Sequence, residues 1–153
     1  MKSEDQLSIP HEILDSIRKR YSIEESYFKT LQFFRLNKSF VHVLPPETDI
    51  PKELKIHTLG IPFVKLSLKT PKLTTQGAQL LSNYASKNII EVSEKELINY
   101  LQRIPVKYLS QQNIDDGYIL VAFEKAIIGT GVWKSETNTL LSQWPKQLSF
   151  IKG

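Results

Sequence analysis

The chain has 153 residues, 41% of them apolar and 24% charged, which excludes a disordered chain and leaves room for one ordinary domain or two small ones sharing an interface. Twenty Lys and Arg against sixteen Asp and Glu give a formal charge of +4, an excess that favours an anionic partner and is spread thinly over both halves. The lack of cysteine excludes disulfides, thiolate catalysis and Cys-ligated zinc.

The opening residues MKSEDQLSIP carry acids and no apolar run of the length a secretory signal needs, and no stretch approaches the roughly eighteen apolar residues of a membrane span. A cytoplasmic protein is the expectation. After Pro10, the run HEILDSIRKRYSI places Ile13, Leu14 and Ile17 on one face, with Tyr21 one turn on, and predicts a first helix. Arg18, Lys19 and Arg20 fall in its last turn. Cations there compensate the helix dipole, and the cluster is assigned to that role or to a protein partner.

The run YFKTLQFFRLNKSFVHVLP predicts two strands, the first ending in Phe33 to Leu36 and the second over Phe40 to Leu44, around a turn at Asn37 and Lys38. Pro45 and Pro46 end the second. Past a short loop to Leu54, Lys55 and Ile56, the alternation from Phe63 to Leu68 predicts another strand, which Pro71 stops before a helix from Thr74 to Ala85. Ile89, Ile90 and Val92 predict a strand. Ser93 with Glu96 three residues later forms a capping box that opens a helix, its buried face expected at Leu97, Ile98 and Leu101. Beyond the polar SQQNIDDG, a hairpin over Tyr118 to Phe123 and Ile127 to Trp133 turns at Glu124 and Lys125, and a final strand is expected near Leu148 to Ile151. Short strands, frequent turn signals and few helices predict an α+β fold: a small N-terminal α/β module over residues 1–71, then a small mixed β-barrel over residues 72–153.

An enzyme needs a nucleophile, a base or a metal held in a pocket. His11, His42 and His57 lack the paired spacing of a zinc site. The GTG at 129–131 lacks the third glycine and following helix of a dinucleotide or methyl-donor loop, and a tightly bent strand explains Gly129 and Gly131. Asp115 and Asp116 beside Gly117 read as a turn. No catalytic residue, metal or cofactor is expected.

Residues suited to phosphate and base contacts do occur. Lys69, Lys72, Thr74, Thr75 and Gln76 stand at a strand-to-helix junction, and Ser86, Lys87 and Asn88 follow that helix. Free amides and hydroxyls at a helix start hold phosphates, and lysines add a sequence-independent attraction. The same residues also suit an ordinary cap flanked by solvated lysines.

The run GYILVAFEKAIIGTGVWKSET, with Gly117, Gly129, Gly131, Lys134 and Ser135, resembles the glycine-framed hairpin of PUA domains, and TPKLTTQGAQLLSNYASKNIIEV is similar to the segment that enters them. FFRLNKSFVHVLPPE and LGIPFVKLSLKTPK resemble the module preceding the PUA domain in the small large-subunit ribosome-assembly factors of the nuclear-import-protein-seven family. The likeness covers most of the chain, in order. The tail LLSQWPKQL is also similar to the end of the PUA region attached to some RNA cytosine-C5 methyltransferases, whose catalytic domain and cysteines have no counterpart here.

The resemblance implies a PUA-type pseudo-barrel with RNA lying against its first helix and the adjoining strands, the last included. By matching position, the RNA-binding residues are Lys72, Thr74, Thr75, Lys87, Lys134, Gln143 and Lys146. Trp133 and Trp144 flank the basic positions and can each be core or base-stacking. The function implied is non-catalytic RNA binding in large ribosomal subunit biogenesis, by a monomer whose partners are ribosomal RNA and assembly proteins. The alternative is a protein-interaction adaptor or a stand-alone RNA-targeting module for an RNA-modifying enzyme.

Overall fold

In the structure, a computed structural model that describes residues 7–35, 37–44, 60–107 and 113–148, Pro10 precedes helix α1 (His11–Arg20). The helix buries Leu14 and Ile17, three residues apart on one face. A single turn, α2 (Glu25–Phe28), comes next, where the sequence reading had only the approach to a strand. Strands β1 (Gln32–Phe34) and β2 (Phe40–Leu44) pair antiparallel across a turn in which the Asn37 side-chain oxygen accepts from the Ser39 and Phe40 N–H groups. Strands β3 (Ile61–Lys65) and β4 (Lys72–Leu73) complete an antiparallel sheet in the order β1-β2-β3-β4. The boundary expected at residues 71 and 72 thus stands just before β4, a strand of the first sheet. Leu54 to Ile56 lie outside the described residues.

Helix α3 (Thr75–Leu80) is shorter than the expected 74–85, because Ser82 and Asn83 favour turns and the Ser82 hydroxyl is engaged with the Ile127 backbone. Helix α4 (Glu94–Leu101) starts with the capping box of Ser93 and Glu96. Its buried face differs from expectation: Tyr100 is in the core with Leu97 and Leu101 against it, while Ile98 is 53% exposed. Positions 97, 100 and 101 form one stripe, and Ile98 lies about 100° off it.

The second sheet comprises β5 (Ile89–Glu91), β6 (Val106–Lys107), β7 (Gly117–Phe123), β8 (Ala126–Lys134) and β9 (Thr139–Ser142), in the order β5-β7-β8-β9-β6, with β5 and β7 parallel. The β7–β8 hairpin turns where expected, with Glu124 and Lys125 both at positive φ (50° and 72°), as a tight two-residue turn requires. Strand β9 lies in a stretch for which the sequence pattern predicts no strand. The expected final strand is not seen at Leu148, which lies in a 3-10 turn over Lys146–Leu148; residues 149–151 fall outside the described ones.

Strand β7 explains how the halves join. Leu120 and Ala122 enter a core shared with Leu14, Ile17, Val41, Val43, Phe63 and Leu81, whereas Ile119 and Val121 face Ile90, Tyr100, Trp133 and Leu140. The period-2 alternation of one strand therefore serves two cores, one on each face. The fold is α+β, with few helices against two sheets. No helix among the described residues is long and apolar enough to cross a membrane.

Candidate nucleic-acid interface

The basic turn of α1 is engaged by partners of the same chain. Arg18 and Lys19 both pair with Asp15, at 3.3 and 3.0 Å, and Lys19 foremost holds the Asp15 carboxyl below its usual range. Arg20 reaches across to the second half, where Nε donates to the Tyr118 carbonyl at 2.7 Å and Nη2 to the carbonyls of Asp115 and Asp116 at 3.2 and 2.9 Å. Buried Asn88, at φ 60°, adds to this clamp. Its amide donates to the Arg20 carbonyl and to Asp115 Oδ2, and its oxygen accepts from the Asp115 N–H. The bond from the Asn88 amide to the Asp115 carboxylate, with Lys87 next in effect, lowers the Asp115 pKa.

A second set of cations gathers around Lys72 at the start of β4. Lys65 and Lys72 are direct cross-strand partners. The Lys72 ammonium, half-buried, donates to Gln143 Oε1 at 2.5 Å and lies 5.8 Å from the centre of the Tyr118 ring. Burial first, then Lys65 and Arg103, pull its pKa below the ordinary lysine value. Arg103 donates to the Trp144 carbonyl beside Gln143. None of Lys65, Lys72 and Arg103 pairs with a carboxylate among the described residues. The buried Trp144 Nε1 nearby has no acceptor among them either.

Of the residues expected to bind RNA, the structure joins two directly, Lys72 and Gln143, seventy-one positions apart. Thr74 is the N-cap of α3; its hydroxyl accepts from the Gly77 N–H at 2.8 Å and donates to the Pro62 carbonyl. Thr75 opens α3, partly exposed beside it. Lys87 is spoken for by Asp115 at 3.6 Å. Lys134 is exposed at the end of β8, two residues beyond Val132 and so on the same face of the strand. Lys146 is exposed in the 3-10 turn. Trp133 is core at 1% exposure, and Trp144 is partly buried against Tyr100. Lys65, Arg103, Arg20 and Tyr118 are not among the residues that the resemblance places at the RNA site. Only the strand alternation at Lys65 was a usable signal.

Between α1 and the second sheet runs a cleft of about 430 Å³ that includes Lys72 and Tyr118. Ile13, Ile17, Leu73 and Val132 give it apolar walls, and Arg20 and Asp116 mark its polar end. The GTG run forms no loop. A Cβ at Gly129 would strike the Tyr100 hydroxyl, which donates to the Thr130 carbonyl at 2.7 Å, and one at Gly131 would crowd Leu140 and the Leu141 carbonyl. Among the described residues no three His, Asp or Glu side chains gather as metal ligands. No protein-family model matches this chain, and no curated protein matches it in sequence.

Proposed function

We propose that the chain is a non-catalytic RNA-binding protein of the PUA type, acting in the cytoplasm in large ribosomal subunit assembly. The observation that carries this reading is the cluster of Lys65, Lys72 and Arg103, drawn from both halves and lacking a carboxylate among the described residues. Two like charges directly across a sheet oppose folding by themselves, and phosphates laid over them relieve that repulsion. The contact between Lys72 and Gln143 supports the PUA reading, because it brings the approach to the first helix of that half beside the residue that follows β9. The resemblance implies RNA there.

A protein-adaptor reading has one observation in its favour: Ile98 and Ile104 are exposed, at 53% and 43%, beside Arg103. Fluorescence anisotropy of a labelled single-stranded RNA against salt separates the two. Three phosphate contacts at about −0.7 each give a log-log slope near −2. No binding at low salt would end the RNA reading and leave the adaptor.

A further inference from the structure

We infer that the cleft between α1 and the second sheet receives one unstacked base of the bound RNA, with guanine preferred. This rests on the RNA-binding reading and adds what the site selects. At about 430 Å³ the cleft is in the range of small organic ligand sites, which run from about 300 to 1,000 Å³. Its occupant is named by charge. Lys72 lines the cleft and belongs to the cationic corner, so a ligand held there carries negative charge next to an apolar part. A nucleotide within a single strand has both: phosphates for the lysines and a flat base for the interior.

The walls suit a base. Ile13, Ile17 and Val132 are apolar, and Tyr118, whose ring lies under the Lys72 ammonium, adds an aromatic wall for a base to pack against. The polar end sets the preference. Asp116 lines the cleft, and its carboxylate is held by the Ser135 N–H at 2.8 Å and the Ser135 hydroxyl at 3.1 Å. A carboxylate accepts and does not donate, and each oxygen retains capacity for a further N–H. Guanine presents two adjacent N–H donors on its Watson–Crick edge, which an unpaired strand leaves free, whereas adenine and uracil present an acceptor beside a donor. The neighbouring Arg20 is already bonded to three carbonyls and holds the wall in place.

The test uses the full chain and eight-residue oligouridines whose central position is guanine, adenine, cytosine or an abasic ribose. The guanine oligonucleotide should bind about tenfold or more tighter than the abasic one, with the same salt slope, since stacking and edge contacts do not alter the phosphate count. Asp116→Asn should shrink the preference for guanine over adenine. Ile13→Trp should fill the cleft and bring guanine and abasic oligonucleotides to equal affinity with the slope intact. Should Ile13→Trp not fold, Ser16→Phe, at an exposed position lining the same cleft, takes its place. Salt-dependent binding that is equal for guanine and abasic oligonucleotides in the wild-type chain overturns the base pocket and leaves RNA binding standing. No binding of any oligonucleotide removes both.

Discussion

Two corners of this molecule each carry three cations, and they differ in what those cations touch. At the end of α1, Arg18 and Lys19 neutralise Asp15 and Arg20 is bonded to three carbonyls of the second half. At the start of β4, Lys65 faces Lys72 across the sheet, Arg103 is near enough to act on the Lys72 charge, and no carboxylate of the described residues pairs with them. Contiguous basic residues in a sequence attract attention first, yet here the contiguous set builds the fold. The dispersed set, with Lys72 on Gln143 and Arg103 on the Trp144 carbonyl, has neutral partners alone among the described residues, and it is the set on which the proposed RNA site rests.

The sharpest way to break that contrast is to remove the dispersed set. A Lys65→Gln, Lys72→Gln, Arg103→Gln triple variant should lose about tenfold in RNA affinity per cation, following the roughly 1.5 kcal/mol lower end for charge-assisted contacts, and so about a thousandfold in all. Arg18→Ala with Lys19→Ala should leave affinity within about twofold, because both side chains are already paired with Asp15. Anisotropy titrations at one fixed salt concentration measure both. Affinity carried by the α1 pair would place the RNA on the other corner and reverse the comparison.

Arg20 gives the next largest effect, and on stability. Arg20→Ala leaves the Tyr118 carbonyl and the two aspartate carbonyls without their cationic donor, and hydrogen bonds to charged groups contribute about 1.5 to 3 kcal/mol, reduced here by partial exposure. Urea unfolding should show a loss of about 2 kcal/mol. A loss below about 0.5 kcal/mol would mean that the shared core and the remaining bonds, such as Asn88 to the Arg20 carbonyl, hold the two halves together without the Arg20 side chain.

Much of the fold was legible where the physics is local. The capping box at Ser93 and Glu96, the turn at Glu124 and Lys125 and the stripe of α1 all follow from spacings of two to four residues. Strand β4 and strand β6 were not legible, since two residues carry no period and each exists by pairing with a strand elsewhere in the chain. The misassigned face of α4 had a different cause: Ile98 is as apolar as its neighbours, and only the aromatic Tyr100 reaches the space left by Gly129. The site was half legible. Resemblance placed Lys72 and Gln143, whereas Arg103 joins them through the packing of α4, which no short-range pattern records.

Thr74 gives a smaller effect, since its residue type suits both a phosphate ligand and a helix cap. Its hydroxyl is bonded to Gly77 and Pro62. Thr74→Ala should therefore cost about 1 kcal/mol of stability, as loss of an N-cap does, with RNA affinity unchanged at temperatures where the variant is folded. Lost affinity at full stability would return Thr74 to the RNA site.

The smallest expected effect is the most telling in sign. If the Lys65–Lys72 pair exists for a ligand, the free protein should be more stable without it, and Lys65→Gln should raise unfolding free energy by roughly 0.2 to 1 kcal/mol, the range for a cross-strand pair. Screening should shrink the gain at 1 M salt, where the Debye length is about 3 Å. The pH dependence follows from Lys72, whose pKa in the folded chain lies below its ordinary 10.5 through burial and then the charges of Lys65 and Arg103. Between the folded value and 10.5 the unfolded chain binds more protons than the folded one, so this group makes stability rise with pH and fall again as pH drops through the folded value. Burial raises the pKa of both Tyr21 (to about 12) and Tyr100, which opposes that rise once unfolded tyrosines ionise near 10. The difference between wild type and Lys65→Gln cancels the tyrosines, and the stabilising effect of the substitution should diminish as Lys72 discharges. RNA affinity should move the opposite way, falling about tenfold in the same variant that folds more tightly. A variant that lost stability and affinity together would show Lys65 holding the sheet, and the contrast between the two basic corners would fail.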